Sequence, residues 1–131
     1  MAKVLDASAL MVYLEKEEGY EKVKELLIKA VETDKKLLMA AVNFGEVYYA
    51  VAREHGLPEA ERISSLIQTF PIEFIEVDLV LARQAAILKA THKLPFADCF
   101  AAALTKLRKG ELVTTDKDFK AVEGEIKLVW V

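Results

Sequence analysis

The stretch FADCFAAALTKL, residues 96–107, predicts a helix that is buried on most of its sides. From Phe96 to Leu104 the residues are apolar or small all the way round, with the single exception of Asp98. An unpaired carboxylate is costly to bury, and no basic residue lies within one helical turn of this one. We therefore expect its partner to come from another part of the chain.

On both sides of this helix, short aliphatic or β-branched runs alternate with longer helical patterns. The predicted strands are KVLD (3–6), KLLMAA (36–41), IEFIEV (72–77), ELVTTD (111–116) and IKLVW (126–130). The predicted helices are SALMVYLEK (8–16), YEKVKELLIKAVETD (20–34), one from Asn43 to Gly56, one from Pro58 to Phe70, LVLARQAAILKATHK (79–93), the buried helix after Pro95, and one short turn at KDFKAV (117–122). This alternation is typical of an α/β fold with a central, mostly parallel five-stranded sheet covered by helices on both faces. We expect one domain that spans residues 1–131.

The composition excludes several classes of protein and site. The longest stretch without a charge, Ile63–Ile72, is too short to span a membrane, and the amino-terminal residues lack a signal sequence, so we expect a soluble, cytoplasmic protein with no membrane partner. The single cysteine, Cys99, excludes an internal disulfide, and His55 and His92 are too few for a zinc site. A net charge of −3 argues against coating nucleic acid by charge alone, but it permits a site where bound cations neutralise the phosphates.

Acidic residues stand at the positions where an open parallel sheet binds ligands. Asp6 and Asp116 end two of the predicted strands, and such sheets place sites at the carboxyl ends of strands, where the strand order reverses. Glu46, in the first turn of the helix after Asn43, and Asp98 would join them if the first and fourth strands are neighbours. Carboxylates without histidine or cysteine suit hard cations such as Mg²⁺ or Mn²⁺, and they repel one another without a cation. The cluster therefore predicts a metal site.

Each of these acids also has a purely structural interpretation. Asp6 could cap the following helix. Glu46 stands three residues after Asn43, which is the spacing of a capping box. Asp116 could form an Asx turn, and Asp98 lies near a helix start, where the helix dipole favours an acid. Their common position at one end of the predicted fold favours a shared function.

Four segments of the chain, taken in order, resemble a known family. VLDASAL (4–10), NFGEVYYA (43–50), PFADCFAAAL (95–104) and LVTTDKDF (112–119) are similar to the signature segments of PIN-domain ribonucleases, in particular VapC-type toxins of toxin–antitoxin pairs. The resemblance implies a PIN-like, Rossmann-like fold. It also implies a set of catalytic, metal-binding acids, Asp6, Glu46, Asp98 and Asp116, with Asp118 as an auxiliary ligand and with Ser8, Thr114 and Thr115 in support.

The resemblance implies a reaction as well. The protein would be a Mg²⁺- or Mn²⁺-dependent endoribonuclease that hydrolyses phosphodiester bonds of single-stranded or structured RNA. The metal would polarise the scissile phosphate and lower the pKa of a water molecule, so that no covalent protein intermediate is needed. Asp6, Asp98 and Asp116 would be the closest ligands, while Glu46 would bind a second ion or orient the water.

Several cations and aromatic residues are candidates for contacts with RNA and with partner proteins. Arg53, Lys117 and Lys120 could hold the RNA backbone, or they could be ordinary solvated charges. The family resemblance further implies a homodimer and a small antitoxin protein. Four apolar or aromatic residues on early helices could form a groove for a partner helix or could belong to the core, namely Met11, Tyr13, Tyr48 and Tyr49.

Three other functions compete with the toxin interpretation. A phosphoryl-accepting receiver domain would need adjacent acids after the first strand, whereas Ala7 follows Asp6. A free-standing RNA-processing nuclease would use the same chemistry without an antitoxin. A non-catalytic binding module of the same fold should carry a broken acidic set, and the set in this sequence is intact.

Overall fold

Every strand that the sequence predicts is present, and each is shorter than its sequence pattern. The computed structural model describes residues 1–131. The strands are β1 (Lys3–Leu5), β2 (Leu37–Ala40), β3 (Ile72–Ile75), β4 (Glu111–Thr114) and β5 (Lys127–Trp130). The helices are α1 (Ala7–Leu14), α2 (Tyr20–Thr33), α3 (Ala41–His55), α4 (Leu57–Ile67), α5 (Leu79–Thr91), α6 (Phe96–Leu107) and a 3₁₀ helix (Lys117–Val122). None of these helices is long and apolar enough to cross a lipid bilayer.

The five strands form one sheet in the order β3-β2-β1-β4-β5, and every pair is parallel. The predicted fold class is confirmed, with a sheet that is entirely rather than mostly parallel. Val4 in the central strand β1 pairs with Leu38 on one side and with Leu112 on the other. The chain builds outward from β1 in one direction and then in the other, so the strand order reverses between β1 and β4. A crevice opens at such a point. The first and fourth strands are neighbours, which is the condition on which the convergence of the acids depended.

Helices cover both faces of the sheet, as the sequence predicts. Successive side chains of a strand point to opposite faces, so Val4 lies in one hydrophobic core and Leu5 in the other. The Val4 core includes residues of α5, α6 and the 3₁₀ helix, while the Leu5 core includes residues of α1 to α4. In α6, all residues from Asp98 to Thr105 are buried. The prediction of a helix enclosed on most sides is confirmed.

The start of α3 differs from its predicted position. The helix begins at Ala41, with Ala40 as a cap that contributes no side-chain hydrogen bond, so Asn43 lies within the first turn and is fully buried. The alternative of a capping box formed by Asn43 and Glu46 is therefore wrong. Alanine favours the helix strongly, which explains why the chain turns helical two residues earlier than expected.

A cavity of about 440 Å³ lies at the amino ends of β1 and β2, opposite the ends that carry the acids. Its lining includes five basic side chains and no acidic one, the basic residues being Lys3, Lys29, Lys35, Lys36 and Arg108. Only Lys3 has an ion-pair partner, Glu111, at 3.2 Å. Positive charge therefore collects at this end of the sheet.

Candidate metal centre

Three aspartates come together at the carboxyl end of the sheet. Asp98 lies in the first turn of α6, Asp116 caps the 3₁₀ helix after β4, and Asp118 follows in the first turn of that helix. One carboxylate oxygen from each lies within 4.8 Å of the others. The oxygens around an octahedral Mg²⁺ ion are roughly 3 to 4 Å apart, because each metal–oxygen bond is about 2.1 Å long. Small side-chain movements would therefore bring this group to a metal-binding geometry.

Asp6 is 3% exposed and is held by hydrogen bonds. Its carboxylate accepts bonds from the Ser8 hydroxyl at 2.8 and 2.9 Å, from the Thr114 hydroxyl at 2.7 Å and from the Ala9 amide at 2.9 Å. The last of these bonds caps α1, as the structural interpretation of this residue predicts. Burial raises the pKa of Asp6 to about 6, the nearby Asp116 charge adds to the rise, and the hydrogen bonds partly oppose it.

The hydroxyls of Ser8 and Thr114 connect the ends of β1 and β4. While both donate to Asp6, the Ser8 oxygen accepts the Thr115 amide at 3.0 Å and the Thr114 oxygen accepts the Asp116 amide at 2.9 Å. The position of Asp116 is therefore tied to that of Asp6 through a single threonine. Thr115 takes part through its backbone N–H.

Asp116 also forms the Asx turn that the sequence predicts. Its Oδ1 accepts the Asp118 amide at 2.9 Å, and this bond begins the 3₁₀ helix. The turn brings the Asp118 side chain beside Asp116, which accounts for its place in the cluster. Asp118 is exposed, whereas Asp116 is half-buried.

Asp98, 9% exposed, carries the strongest sign of uncompensated charge. Burial and, after it, the charges of four surrounding carboxylates together raise the pKa of Asp98 to about 7, the carboxylates contributing in the order Asp116, Glu46, Asp6 and Asp118. None of these five acids takes part in an ion pair. The fold thus places the other four predicted acids around Asp98, and none of the five is neutralised by an ion pair.

Asn43 positions Glu46, a role that the sequence analysis missed. The Asn43 amide nitrogen donates to Glu46 Oε1 at 2.8 Å and to the carbonyl of Ala97 at 3.1 Å. It thereby links the first turn of α3 to the residue that precedes Asp98. Its own Oδ1 is buried without a hydrogen-bond partner. The available signal was an amide, the only asparagine of the chain, within an apolar stretch and one turn before an acid.

The three predicted RNA-binding cations are exposed, and none forms an ion pair with an acid of the cluster. The Lys117 ammonium lies 4.4 Å from the centre of the Trp130 ring, and the Arg53 guanidinium lies 5.0 Å from the centre of the Tyr49 ring. Lys120 lies on the 3₁₀ helix. The tryptophan beside Lys117 had no role in the sequence-based hypothesis.

The residues predicted to form a partner groove divide into two groups. Tyr13 packs edge-to-face on Phe70 with ring centres 5.7 Å apart, and both rings, like Met11, contact the Leu5 core. Tyr48 is half-buried beside Phe44, while Tyr49 is 49% exposed. Tyr49 is therefore the member of the set that is most available to a partner.

The ligand chemistry of the cluster fits a hard divalent cation. All the candidate donor atoms are carboxylate oxygens, which suit Mg²⁺ or Mn²⁺. His92 is engaged with Glu125 at 2.7 Å, and the Cys99 side chain is fully buried, where burial raises the pKa of its thiol. Cys99 is thus a small core residue, as predicted, and not an available thiolate.

Comparison with known proteins identifies relatives of the whole fold. Residues 3–125 match the family model of the PIN domain. No curated protein sequence matches the chain. Among solved structures, VapBC2 from Rickettsia felis, bound to a DNA fragment from their promoter, has a TM-score of 0.77 at 16% identity, over 100% of this chain and 99% of that one. DNA-bound VapBC from Salmonella typhimurium has a TM-score of 0.75 at 16% identity, over 99% and 98% of the two chains. VapC20 from Mycobacterium tuberculosis, a sarcin-ricin loop cleaving toxin, has a TM-score of 0.71 at 16% identity, over 92% of this chain and 95% of that one.

Proposed function

The chain belongs to the PIN domain family, and on this basis we propose that it is a metal-dependent endoribonuclease, the toxin of a VapBC-type toxin–antitoxin pair. One observation carries the proposal. Acids from three distant parts of the sequence surround Asp98 at the point where the strand order reverses, and none of these acids forms an ion pair. A structural role alone would not explain this arrangement, because uncompensated carboxylates destabilise a fold.

In this proposal, Asp98, Asp116 and Asp118 hold the first divalent cation, with Asp6 and Glu46 completing the acidic set. The sequence suggested Asp6 in place of Asp118 among the closest ligands. The bonds from Ser8, Thr114 and Ala9 occupy Asp6, whereas Asp118 lies in the group of converging oxygens. Ser8 and Thr114 act as supports that fix the positions of Asp6 and Asp116.

When bound, Mg²⁺ or Mn²⁺ would neutralise charge on the scissile phosphate and lower the pKa of a water molecule toward neutrality. One carboxylate oxygen of Glu46 accepts a hydrogen bond from the Asn43 amide, and the other accepts none from the protein. That free oxygen is suited to orient the attacking water and to take up its proton. Ser8 donates its hydroxyl hydrogen to Asp6 and Cys99 is buried, so neither is an available nucleophile and hydrolysis proceeds by direct attack of water.

We propose three partners: an RNA substrate, a small antitoxin protein and a second copy of the chain. Solved relatives include toxin–antitoxin complexes, among them one from Klebsiella pneumoniae with 19% identity. Tyr49 on α3 is 49% exposed, and we propose that this aromatic side chain contacts an antitoxin segment. Leu79, 88% exposed, begins a separate apolar surface on α5 that suits a homodimer.

The proposed activity is tested by incubating metal-stripped, antitoxin-free protein with a mixture of single-stranded and hairpin RNAs, before and after adding Mg²⁺ or Mn²⁺. We expect cleavage only with metal, and a loss of at least about 100-fold in the Asp98→Asn variant, because metal-ligand loss removes several kcal/mol of transition-state stabilisation. Asp34→Asn is the matched control, since Asp34 is exposed, distant from the site, and has a positive φ of 53° that asparagine also tolerates. Intact RNA with both metals, or equal cleavage by Asp98→Asn, would contradict the proposal.

A further inference from the structure

Trp130 has a position that core packing does not explain. It ends β5, an edge strand of the sheet. Its neighbours Leu128 and Val129 pack against the two cores, whereas Trp130 belongs to neither. The indole is partly exposed. Its N–H group is accessible to solvent and makes no hydrogen bond within the protein. A large aromatic ring is thus held at the surface with its polar atom free.

The backbone fixes this ring beside the acidic cluster. Trp130 is in register with Thr114, and the Val131 amide donates to the Thr114 carbonyl at 3.2 Å. Register partners on parallel strands lie about 4.8 Å apart and point to the same face of the sheet. Because Thr114 bonds both Asp6 and the Asp116 amide, the indole lies one strand away from the residue that organises the acids.

One weakly held group, the Lys117 ammonium, lies over the face of the indole. The Lys117 ammonium lies 4.4 Å from the ring centre, and its side chain is exposed. An exposed cation–π contact contributes only about 0.5–1 kcal/mol, so another planar group can displace the ammonium. Lys117 stands between Asp116 and Asp118 in the sequence, so its movement would carry a positive charge along the edge of the cluster.

We propose that Trp130 and Lys117 form a base-binding subsite for the RNA strand, an inference that rests on the proposed ribonuclease function. The indole stacks on one unpaired base next to the cleaved bond, and the displaced ammonium binds the adjoining phosphate. Stacking on aromatic rings is the usual way in which proteins hold splayed bases of single-stranded RNA, and it tolerates different bases. The subsite would place the strand without defining a sequence.

Because Trp130 is the only tryptophan in the chain, its fluorescence reports whether a base is bound at the subsite. The Asp98→Asn protein, which is expected to leave RNA uncut, is titrated with heptauridylate, heptaadenylate and ribose 5-phosphate while indole emission is recorded. We expect saturable quenching by both oligomers and none by the base-free sugar phosphate. A dye-labelled oligomer gives binding independently through its anisotropy. Binding with unchanged indole emission would overturn the subsite.

Substitutions at Trp130 and Lys117 distinguish base stacking on the indole from the effects of side-chain size and of the lysine charge. Trp130→Ala should weaken oligomer binding by about 5- to 100-fold, while Trp130→Phe, which keeps an aromatic face, should stay within about three-fold of the parent. Lys117→Met keeps the chain length and should lower the salt dependence of binding by about one phosphate contact. Thermal melts confirm that each variant is folded, and equal weakening by Trp130→Phe and Trp130→Ala would refute stacking.

The two proposals fail differently. If the parent protein cleaves RNA while indole emission never responds, the ribonuclease stands and the subsite falls. If the emission responds but no RNA is cut under any metal condition, the base-binding surface is real and the catalytic assignment is wrong.

Discussion

At the scale of single residues, Asp98 shows how function opposes stability in this fold. Its carboxylate is nearly buried among four other acids, and in the metal-free protein its negative charge is unfavourable for both reasons. Replacing it with the neutral, isosteric asparagine removes the repulsion while keeping the shape. The same substitution removes a proposed metal ligand, so stability and activity should change in opposite directions.

The pH dependence of metal-free stability provides the first prediction. The folded-state pKa values of Asp98 and Asp6, about 7 and about 6, lie above an ordinary value of 3.8, so the folded protein binds these protons more tightly than the unfolded chain does. The two acids therefore contribute stability that is fully present below about pH 4 and is lost as the pH rises through about 6 and 7. In EDTA, we expect the melting temperature of the parent protein to fall between about pH 5 and pH 8, and Asp98→Asn to reduce that fall. Identical pH profiles in calorimetric melts would contradict this.

Asn43 and Glu46 give a second prediction, which distinguishes the effect of the hydrogen bond between them from the effect of the Glu46 charge. Asn43→Ala removes two partly buried hydrogen bonds and should lower the free energy of unfolding by about 1–3 kcal/mol. Glu46→Gln keeps an oxygen for the Asn43 amide, so it should leave stability unchanged or higher while reducing RNA cleavage. Urea denaturation and cleavage rates measured together test the pair. A large loss of stability in Glu46→Gln would show that the charge of Glu46, and not only its hydrogen bond to Asn43, stabilises the fold.

At the scale of secondary-structure elements, the sequence pattern predicts which elements exist better than where they end. The run ELVTTD continues as a strand pattern to Asp116, yet β4 ends at Thr114 because the Thr114 hydroxyl accepts the Asp116 amide and turns the chain out of the sheet. Side chains that bond the nearby backbone compete with the ladder, and hydrophobic periodicity does not record that competition. The Asx turn at Asp116 was one alternative that the sequence left open, and the approach of Asp118 to Asp98 was implied only by the family resemblance, because hydrophobic periodicity carries no information on either.

The connection between β1 and β4 gives a third prediction. Thr114→Val keeps the shape of a fully buried side chain but deletes the hydroxyl that joins Asp6 to the Asp116 amide. We expect a loss of about 1–3 kcal/mol in unfolding free energy, because a buried amide and a carboxylate each lose a partner. Thr114→Ser keeps the hydroxyl and removes the methyl group, whereas Thr114→Cys replaces the hydroxyl by a thiol. Together these variants distinguish the effect of the hydroxyl from that of side-chain volume. If Thr114→Val is as stable as the parent while Thr114→Ser is destabilised, the methyl group and not the hydroxyl is what stabilises the fold at this position.

At the scale of the whole molecule, topology assembles the site. Asp6 and Asp116 directly follow β1 and β4, Asp98 lies in the first turn of α6, and Glu46 lies in the second turn of α3. The parallel sheet, with its order reversed at β1, brings these acids together at the carboxyl ends of its strands. The sequence allowed this convergence to be predicted from strand ends and from the resemblance to PIN-domain ribonucleases. Asn43 and Trp130 could not be assigned, because their roles depend on contacts between elements that are distant in sequence.

Global stability should respond to metal, and this is a fourth prediction. A ligand that binds only the folded state at about 100 times its Kd stabilises it by about 2.7 kcal/mol, which corresponds to a rise of roughly 10 °C in melting temperature for a chain of this size. We expect this rise with Mg²⁺ or Mn²⁺ at neutral pH, in the parent and in Asp34→Asn. Asp116→Asn should abolish it. An equal rise in Asp116→Asn would place the stabilising ion elsewhere on the protein.

The basic cavity at the amino ends of β1 and β2 and the acids at the carboxyl ends of the strands are two regions of opposite charge. Lys29, Lys35, Lys36 and Arg108 form no ion pair at one end of the strands, and the acids of the metal site form none at the other, so these groups contribute a dipole moment along the strand direction. A polyanion that drifts toward the metal-free protein feels a torque that turns the cavity, and not the acids, toward it. Loading divalent ions weakens the negative pole and with it that misalignment, and added salt removes it beyond about 8 Å.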